Sequence, residues 1–172
     1  CIDLIPFERL RFDPAADWTD PINSSPYLIR MVPMYVDDVV QKMKEDEGKT
    51  SQKWKKYDEQ EIRAAMIDYD SIRQQREGQD RLADNEAPMK EFEVIWTHEN
   101  FVRRGGEEYV YWTLGTKHLL TEATPLKEVY FHGKRPIVMG CAVLEAHKAV
   151  PESLGSIGSN LQKEVNETVN QR

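Results

Sequence analysis

The feature that most constrains this chain is the spacing of apolar residues in its last stretch, Pro151 to Arg172. An apolar residue recurs there every three or four positions, which predicts a helix with one apolar side. The residues on that side are Leu154, Ile157, Leu161, Val165 and Val169. Ser159 and Gln162 form a capping-box pattern and Pro151 suits a first helical turn, so we expect the helix to begin between Pro151 and Ser159. The pattern then continues to the last residue without a stop signal, and the chain opens on Cys1 rather than Met. Both ends predict an internal piece of a longer protein.

Composition narrows the class of protein. The sequence has 172 residues, of which 40% are hydrophobic and 31% charged, and this balance favours a small core with long arms over one large core. The net charge of −7 argues against a surface that grips nucleic acid through Lys and Arg, although not against one past which DNA slides. No apolar run is long enough to span a membrane. The two cysteines, Cys1 and Cys141, favour a reducing compartment over a disulfide framework.

Apolar periodicity and chain breakers divide the sequence into five segments. They are an extended segment and loop (1–32), a helix introduced by Pro33 (33–47), a charged helix and linker (48–90), an antiparallel β domain (91–145) and the closing helix (146–172). This order predicts an α+β fold, in which a small antiparallel β domain is flanked by helices and followed by a long C-terminal amphipathic helix.

The β segment carries a hairpin signal. Gly105-Gly106 suits a two-residue turn with positive φ, which places Arg104 opposite Glu107, Arg103 opposite Glu108 and Phe101 opposite Val110. A second tight turn at Leu114 to Lys117 predicts a strand from His118 to Glu122. The almost wholly apolar run Ile137 to Leu144 predicts a buried strand.

Two further patterns predict local structure. Asp58 and Glu61 form a capping box that begins a helix, with Ile62, Ala65, Met66 and Tyr69 as its apolar side, and a nearly all-polar linker follows from Asp70 to Met89. Asp13, Asp17 and Asp20 lack the glycine and terminal glutamate of a calcium loop, so we expect turn and cap roles for them.

A catalytic interpretation starts from Cys141. Paired with a histidine as base, its thiol would serve a small cysteine-dependent hydrolase, and the candidate bases are His98, His118, His132 and His147. The competing interpretation places Cys141 inside the apolar strand, as an inert small hydrophobic residue. The histidines lack metal-ligand spacing and the sequence has no phosphate-binding glycine motif, so we expect no metal, no cofactor and no enzyme activity.

The apolar side of the predicted C-terminal helix must be covered by another apolar surface. With so small a core in the chain, we expect much of its burial to come from other chains, while the alternative is that it covers the chain's own sheet. A third interpretation is a monomeric adaptor whose hairpin tip, Arg103 to Glu108, docks one protein.

Two phrases of the sequence resemble the portal proteins of tailed bacteriophages, the head-to-tail connectors. They are IDLIPFERLRFDPAADWTDPINSSPYLIR with the following MVPMYVDDVVQKM, and YFHGKRPIVMGCAVLEAHKAVPESLGSIGSNLQKEVNETVNQR, and together they cover about half of the chain. The resemblance implies a structural subunit of a dodecameric ring at one capsid vertex, through which double-stranded DNA passes without sequence-specific binding during packaging and ejection. The Gly-x-Ser usual before the final helix corresponds here to Gly155-Ser156 or Gly158-Ser159.

The resemblance also implies partners and sites. The partners would be sister subunits, the large terminase and the head-completion adaptor, in the virion and, during assembly, in the host cytoplasm. By layout, 33–47 and 146–172 would be the two stem helices and 91–145 the β part of the clip. The subunit interface would comprise Leu154, Ile157, Leu161, Val165 and Val169; Glu164 and Glu167 would line the DNA channel; and Arg103, Arg104, Glu107 and Glu108 would contact a partner at the clip tip.

Overall fold

The computed structural model describes residues 2–45, 52–65, 94–115, 117–141, 145–152 and 154–170. Within these ranges the chain has an α+β fold, with a six-stranded antiparallel sheet, five α-helices and one 3-10 turn. In chain order these are the 3-10 turn (Phe7–Arg9), β1 (Leu10–Phe12), α1 (Pro21–Ser24), β2 (Tyr27–Tyr35), α2 (Val36–Glu45), α3 (Glu59–Ala64), β3 (Val94–Arg104), β4 (Glu107–Leu114), β5 (His118–Leu119), β6 (Thr124–Pro125), α4 (Leu126–Val129) and α5 (Leu154–Asn170). Two compact units make up the chain, Cys1–Arg11 with Ile29–Lys134 and Phe12–Leu28 with Arg135–Arg172.

The sheet combines two N-terminal strands, β1 and β2, with four strands from Val94 onward. Its order is β1-β2-β3-β4-β5, and β6 pairs with β4. The β domain predicted over 91–145 is therefore incomplete, since two strands of the N-terminal segment belong to the same sheet. The helix predicted from Pro33 begins at Val36 instead, because Pro33 lies inside β2. β2 lies between β1 and β3 in the sheet, so pairing with distant strands outweighs the local preference of proline for a helix start.

The β3–β4 hairpin has the predicted register. Arg104 pairs with Glu107, Arg103 with Glu108 and Phe101 with Val110. Gly105 and Gly106 have φ angles of +62° and +84°, which glycine adopts without the steric cost that other residues meet. The hairpin prediction is confirmed.

Two helices and the sheet share the main core of the first unit. α2 contributes Val36, Val39 and Met43, and the remaining buried members are Trp54, Ile62, Ala65, Ile95, Leu114 and Leu120. Each fully buried aliphatic side chain stabilises the fold by about 1.5–3 kcal/mol. α2 thus uses its apolar side within its own unit.

α3 begins as the sequence predicts. The Asp58 side chain and the Glu61 side chain each satisfy a backbone N–H of the first turn, and Ile62 is buried behind them. The predicted apolar residues Met66 and Tyr69, and the linker from Asp70 to Met89, lie outside the described residues.

Two strand predictions are wrong in extent. The strand expected from His118 to Glu122 covers only His118–Leu119. The expected strand from Ile137 is absent over 137–141, where Ile137 is buried but Val138 is 95% exposed, and residues 142–144 lie outside the described residues. Apolar composition alone gives a segment no hydrogen-bonding neighbour, and the described part of this run has none in the sheet.

The second unit is built on short turns and one long helix. α1 is capped by Asp20, and the buried guanidinium of Arg135 donates a hydrogen bond to the backbone oxygen of Ile22 at 2.6 Å. Trp18 meets the His147 ring edge-on, with ring centroids 6.2 Å apart. The closing helix α5 begins at Leu154 and covers 17 residues. The predicted start between Pro151 and Ser159 is therefore confirmed.

Candidate interaction surfaces

The tip of the β3–β4 hairpin carries four charged side chains around an exposed turn. The Arg103 Nε atom lies 2.9 Å from the Oε1 atom of Glu108 on the facing strand. Arg104 and Glu107 lie beside the turn, where both are exposed, and Tyr109 donates its hydroxyl hydrogen to Glu107 at 3.2 Å. The turn thus presents charges of both signs on a backbone whose register the paired strands fix.

One side of α5 is apolar along part of its length. Leu161, Val165 and Val169 follow at intervals of four, which places them on one side of the helix, and they are 68%, 60% and 67% exposed. The side chains of Leu154 and Ile157 lie outside the described residues. We call the three exposed residues the α5 stripe.

Glu164 and Glu167 lie on the same helix and are exposed. Neither belongs to the α5 stripe, because a helix turns by about 100° per residue and carries both away from its centre. Thr168 donates its hydroxyl hydrogen to the backbone oxygen of Glu164 at 2.8 Å.

The three aspartates of the N-terminal loop act as turn and cap residues, as predicted. Asp13 accepts from the Ala15 N–H, Asp17 from the backbone and hydroxyl of Thr19, and Asp20 from the N–H of Asn23. The hydrogen bonds from Thr19 lower the pKa of Asp17. Within the ranges described, no three or more His, Cys, Asp or Glu residues are arranged to hold a metal ion.

Cys141 is exposed, so the prediction that it lies in a buried strand is wrong. Three of the four candidate histidines contact aromatic rings: His118 meets Tyr57 at 4.7 Å between centroids, His132 stacks on Tyr130, and His147 meets Trp18. His98 is buried in β3, and burial lowers its pKa. The four imidazoles therefore lie in different surroundings, three against aromatic rings and one buried in the sheet.

A buried charged cluster on the first unit is absent from our sequence predictions. Glu99 lies buried in the middle of β3, and its carboxylate is 3.4 Å from the Nη1 atom of Arg30 on β2. On the same unit, the Lys42 ammonium lies 4.7 Å from the ring centroid of Trp54 and 5.4 Å from that of Trp112. The available signal was a charged residue on the same face of β3 as the buried Ile95, Thr97 and Phe101.

No helix in the described ranges has both the length and the apolar character needed to cross a bilayer. In comparisons with known proteins, no protein-family model matches the chain, and no relative is found among the curated proteins.

Proposed function

We propose that this chain is part of a ring-forming structural subunit, which surrounds double-stranded DNA at the capsid vertex of a tailed bacteriophage during packaging and ejection. It would be a portal-type conduit with no catalytic role of its own. The observation that carries the proposal is the exposed α5 stripe.

The α5 stripe supports assembly because exposing apolar side chains to water is unfavourable in free energy. Three large aliphatic side chains on one side of a single helix are each more than half exposed. Burial against a neighbouring copy would stabilise the assembly by up to about 1.5–3 kcal/mol per fully covered side chain. In a closed ring the contacts are head-to-tail, so the stripe of each copy would meet a different surface of the next copy, and one stripe per subunit would serve every interface.

The negative charge of the chain favours a channel through which DNA moves over a surface that binds DNA tightly. The chain has a formal net charge of −7, and α5 exposes Glu164 and Glu167 outside the stripe. A channel lined with carboxylates repels phosphates, so DNA would find no deep electrostatic minimum as it moves. In the proposal these two glutamates line that channel.

The hairpin tip supports a docking role. Its paired strands fix the positions of Arg103, Arg104, Glu107 and Glu108, and the tip carries two charges of each sign. We assign it to the contact with the large terminase during packaging and with the head-completion adaptor afterwards. In this arrangement the sheet corresponds to the clip and α5 to a stem helix.

The proposal gives α2 no stem role, although the sequence layout suggested one. α2 has ten residues, and Val36, Val39 and Met43 are buried in the core of its own unit. A helix that packs its apolar side on its own sheet has little left for a sister subunit.

Electron microscopy of the protein at the full length that its gene encodes tests the ring. The proposal predicts closed rings with a central channel wide enough for a DNA duplex, and a native mass that is an integer multiple of the subunit. Single copies at every concentration examined would contradict the proposal and favour the monomeric adaptor.

The channel assignment has a separate test. Glu164→Lys with Glu167→Lys should slow DNA packaging, because the lumen would then attract phosphates. Glu122→Lys with Glu128→Lys makes the same charge change on the first unit and should leave packaging unchanged. Equal packaging by both double variants would remove Glu164 and Glu167 from the channel.

A further inference from the structure

Glu99 is a buried carboxylate where four segments of the first unit meet. It lies on β3, with Arg30 of β2 at 3.4 Å, and the hydroxyl of Tyr130, directly after α4, hydrogen-bonds the same carboxylate. Arg30 also reaches Asp3 of the N-terminal segment at 3.9 Å. One carboxylate therefore links segments that are far apart in sequence.

Three segments supply the charged and polar groups that interact with Glu99, and β4 supplies an apolar one. β2 supplies Arg30, α2 supplies Lys42, and Tyr130 supplies a phenol, while the residue opposite Glu99 on β4 is Trp112. Asp3 acts only through Arg30. The cluster thus holds two cations, one buried carboxylate, one exposed carboxylate and one neutral hydroxyl.

Burial decides the proton affinity of this cluster. Desolvation raises the pKa of Glu99, and the attraction of Arg30 and Lys42 only partly opposes it. Burial and the charge of Glu99 also raise the pKa of Tyr130, so the phenol stays protonated and donates. Glu99 therefore takes up its proton at a higher pH than an exposed glutamate does.

Tyr130 connects the cluster to a tight surface turn. The Gly133 N–H donates to the backbone oxygen of Tyr130 at 2.8 Å, and the His132 ring stacks on the Tyr130 ring with centroids 5.8 Å apart. Between them Phe131 is 98% exposed. Tyr130 therefore belongs both to the cluster around Glu99 and to the turn that presents Phe131.

We propose that Glu99 is a pH-sensitive latch, which anchors Arg30 and Tyr130 when it is ionised and weakens both contacts when it is protonated. A charge-assisted hydrogen bond is roughly twice as strong as a neutral one, so the proton removes much of the anchoring without removing the packing. Mild acid then loosens the turn that presents Phe131, while the sheet stays intact.

Hydrogen–deuterium exchange of the full chain, corrected for the intrinsic effect of pH, tests the latch. At neutral pH, Glu99→Gln should speed exchange in the turn from Tyr130 to Gly133 by about tenfold, which corresponds to one charge-assisted bond replaced by a neutral one. Wild-type protein should approach the same rate in mild acid. Glu122→Gln removes one exposed carboxylate of the same unit and should exchange as wild type does.

Tyr130→Phe removes only the hydroxyl and provides an independent readout. Its turn should exchange fast at both pH values, so its rate should no longer depend on pH. If Glu99→Gln fails to fold, the pH series of wild type against Tyr130→Phe decides. Exchange of the turn that is independent of pH in wild type, or equally dependent on pH in both proteins, would overturn the latch.

Discussion

The Arg103 Nε atom lies 2.9 Å from the Oε1 atom of Glu108, across the two strands that the Gly105-Gly106 turn joins. The pair is partly exposed, so its coupling should be modest. In a double-mutant cycle with Arg103→Ala and Glu108→Ala, we expect a coupling free energy of about 0.2–1 kcal/mol. Urea unfolding at low salt measures it, and the value should fall in high salt. No coupling at low salt would contradict the contact.

The turn glycines should be intolerant of a side chain for backbone reasons alone. A Cβ atom added to Gly106 would meet nothing within 4 Å, but its φ of +84° is unfavourable for other residues. Gly106→Ala should therefore lower the free energy of unfolding by about 1–2 kcal/mol. Gly158→Ala is the matched control, since it is equally uncrowded but lies in α5, where alanine should increase helicity in circular dichroism. Equal destabilisation by the two variants would contradict this explanation.

Ile62 joins α3 to the core of the first unit and is fully buried. Ile62→Ala should lower the free energy of unfolding by about 2–5 kcal/mol, because the lost contacts and the resulting cavity both contribute. Leu119→Ala on the short strand β5 removes an exposed aliphatic side chain and should cost less than about 1 kcal/mol. Chemical denaturation of both variants measures the difference.

His98 should make stability depend on pH. Burial lowers its pKa from the usual value of 6.5, and a hydrogen bond with the backbone of Gly115 only partly opposes this. The unfolded chain therefore binds the proton first as the pH falls, so stability is fully present above pH 6.5 and declines from there toward the lowered pKa. His98→Asn should remove this decline in unfolding curves recorded between neutral and mildly acidic pH.

The control for His98 is His132→Asn, which removes an exposed imidazole after α4. It should keep the pH dependence of the wild-type protein. An unchanged decline in His98→Asn would show that another group causes it.

The sequence predicts those features that local chemistry decides. A Gly-Gly turn sets the register of a hairpin, so the pairing of Arg103 with Glu108 follows from the order of residues. The capping box of Asp58 and Glu61 is equally local. The position of the α5 helix also follows from its spacing of apolar residues.

The predictions that depended on distant neighbours were less successful. Pro33 suggests a helix start, but it lies inside β2, which pairs with β1 and with the distant β3. Val138 and Cys141 are apolar, yet nothing in their own segment supplies a paired strand. Glu99 shares a strand face with buried residues, which is a local signal, but its partners could not be predicted because Arg30 and Tyr130 lie far from it in sequence.

The α5 stripe carries the central claim, and matched charge insertions on α5 test it most directly. Leu161→Glu with Val165→Glu places two charges on the stripe, whereas Asn160→Glu with Asn170→Glu places two on the other side of the helix, each about 140° from the centre of the stripe. We expect native mass measurements on the full-length protein to show single subunits for the stripe variant and intact rings for the control. Rings of unchanged mass in the stripe variant would contradict assembly through this surface.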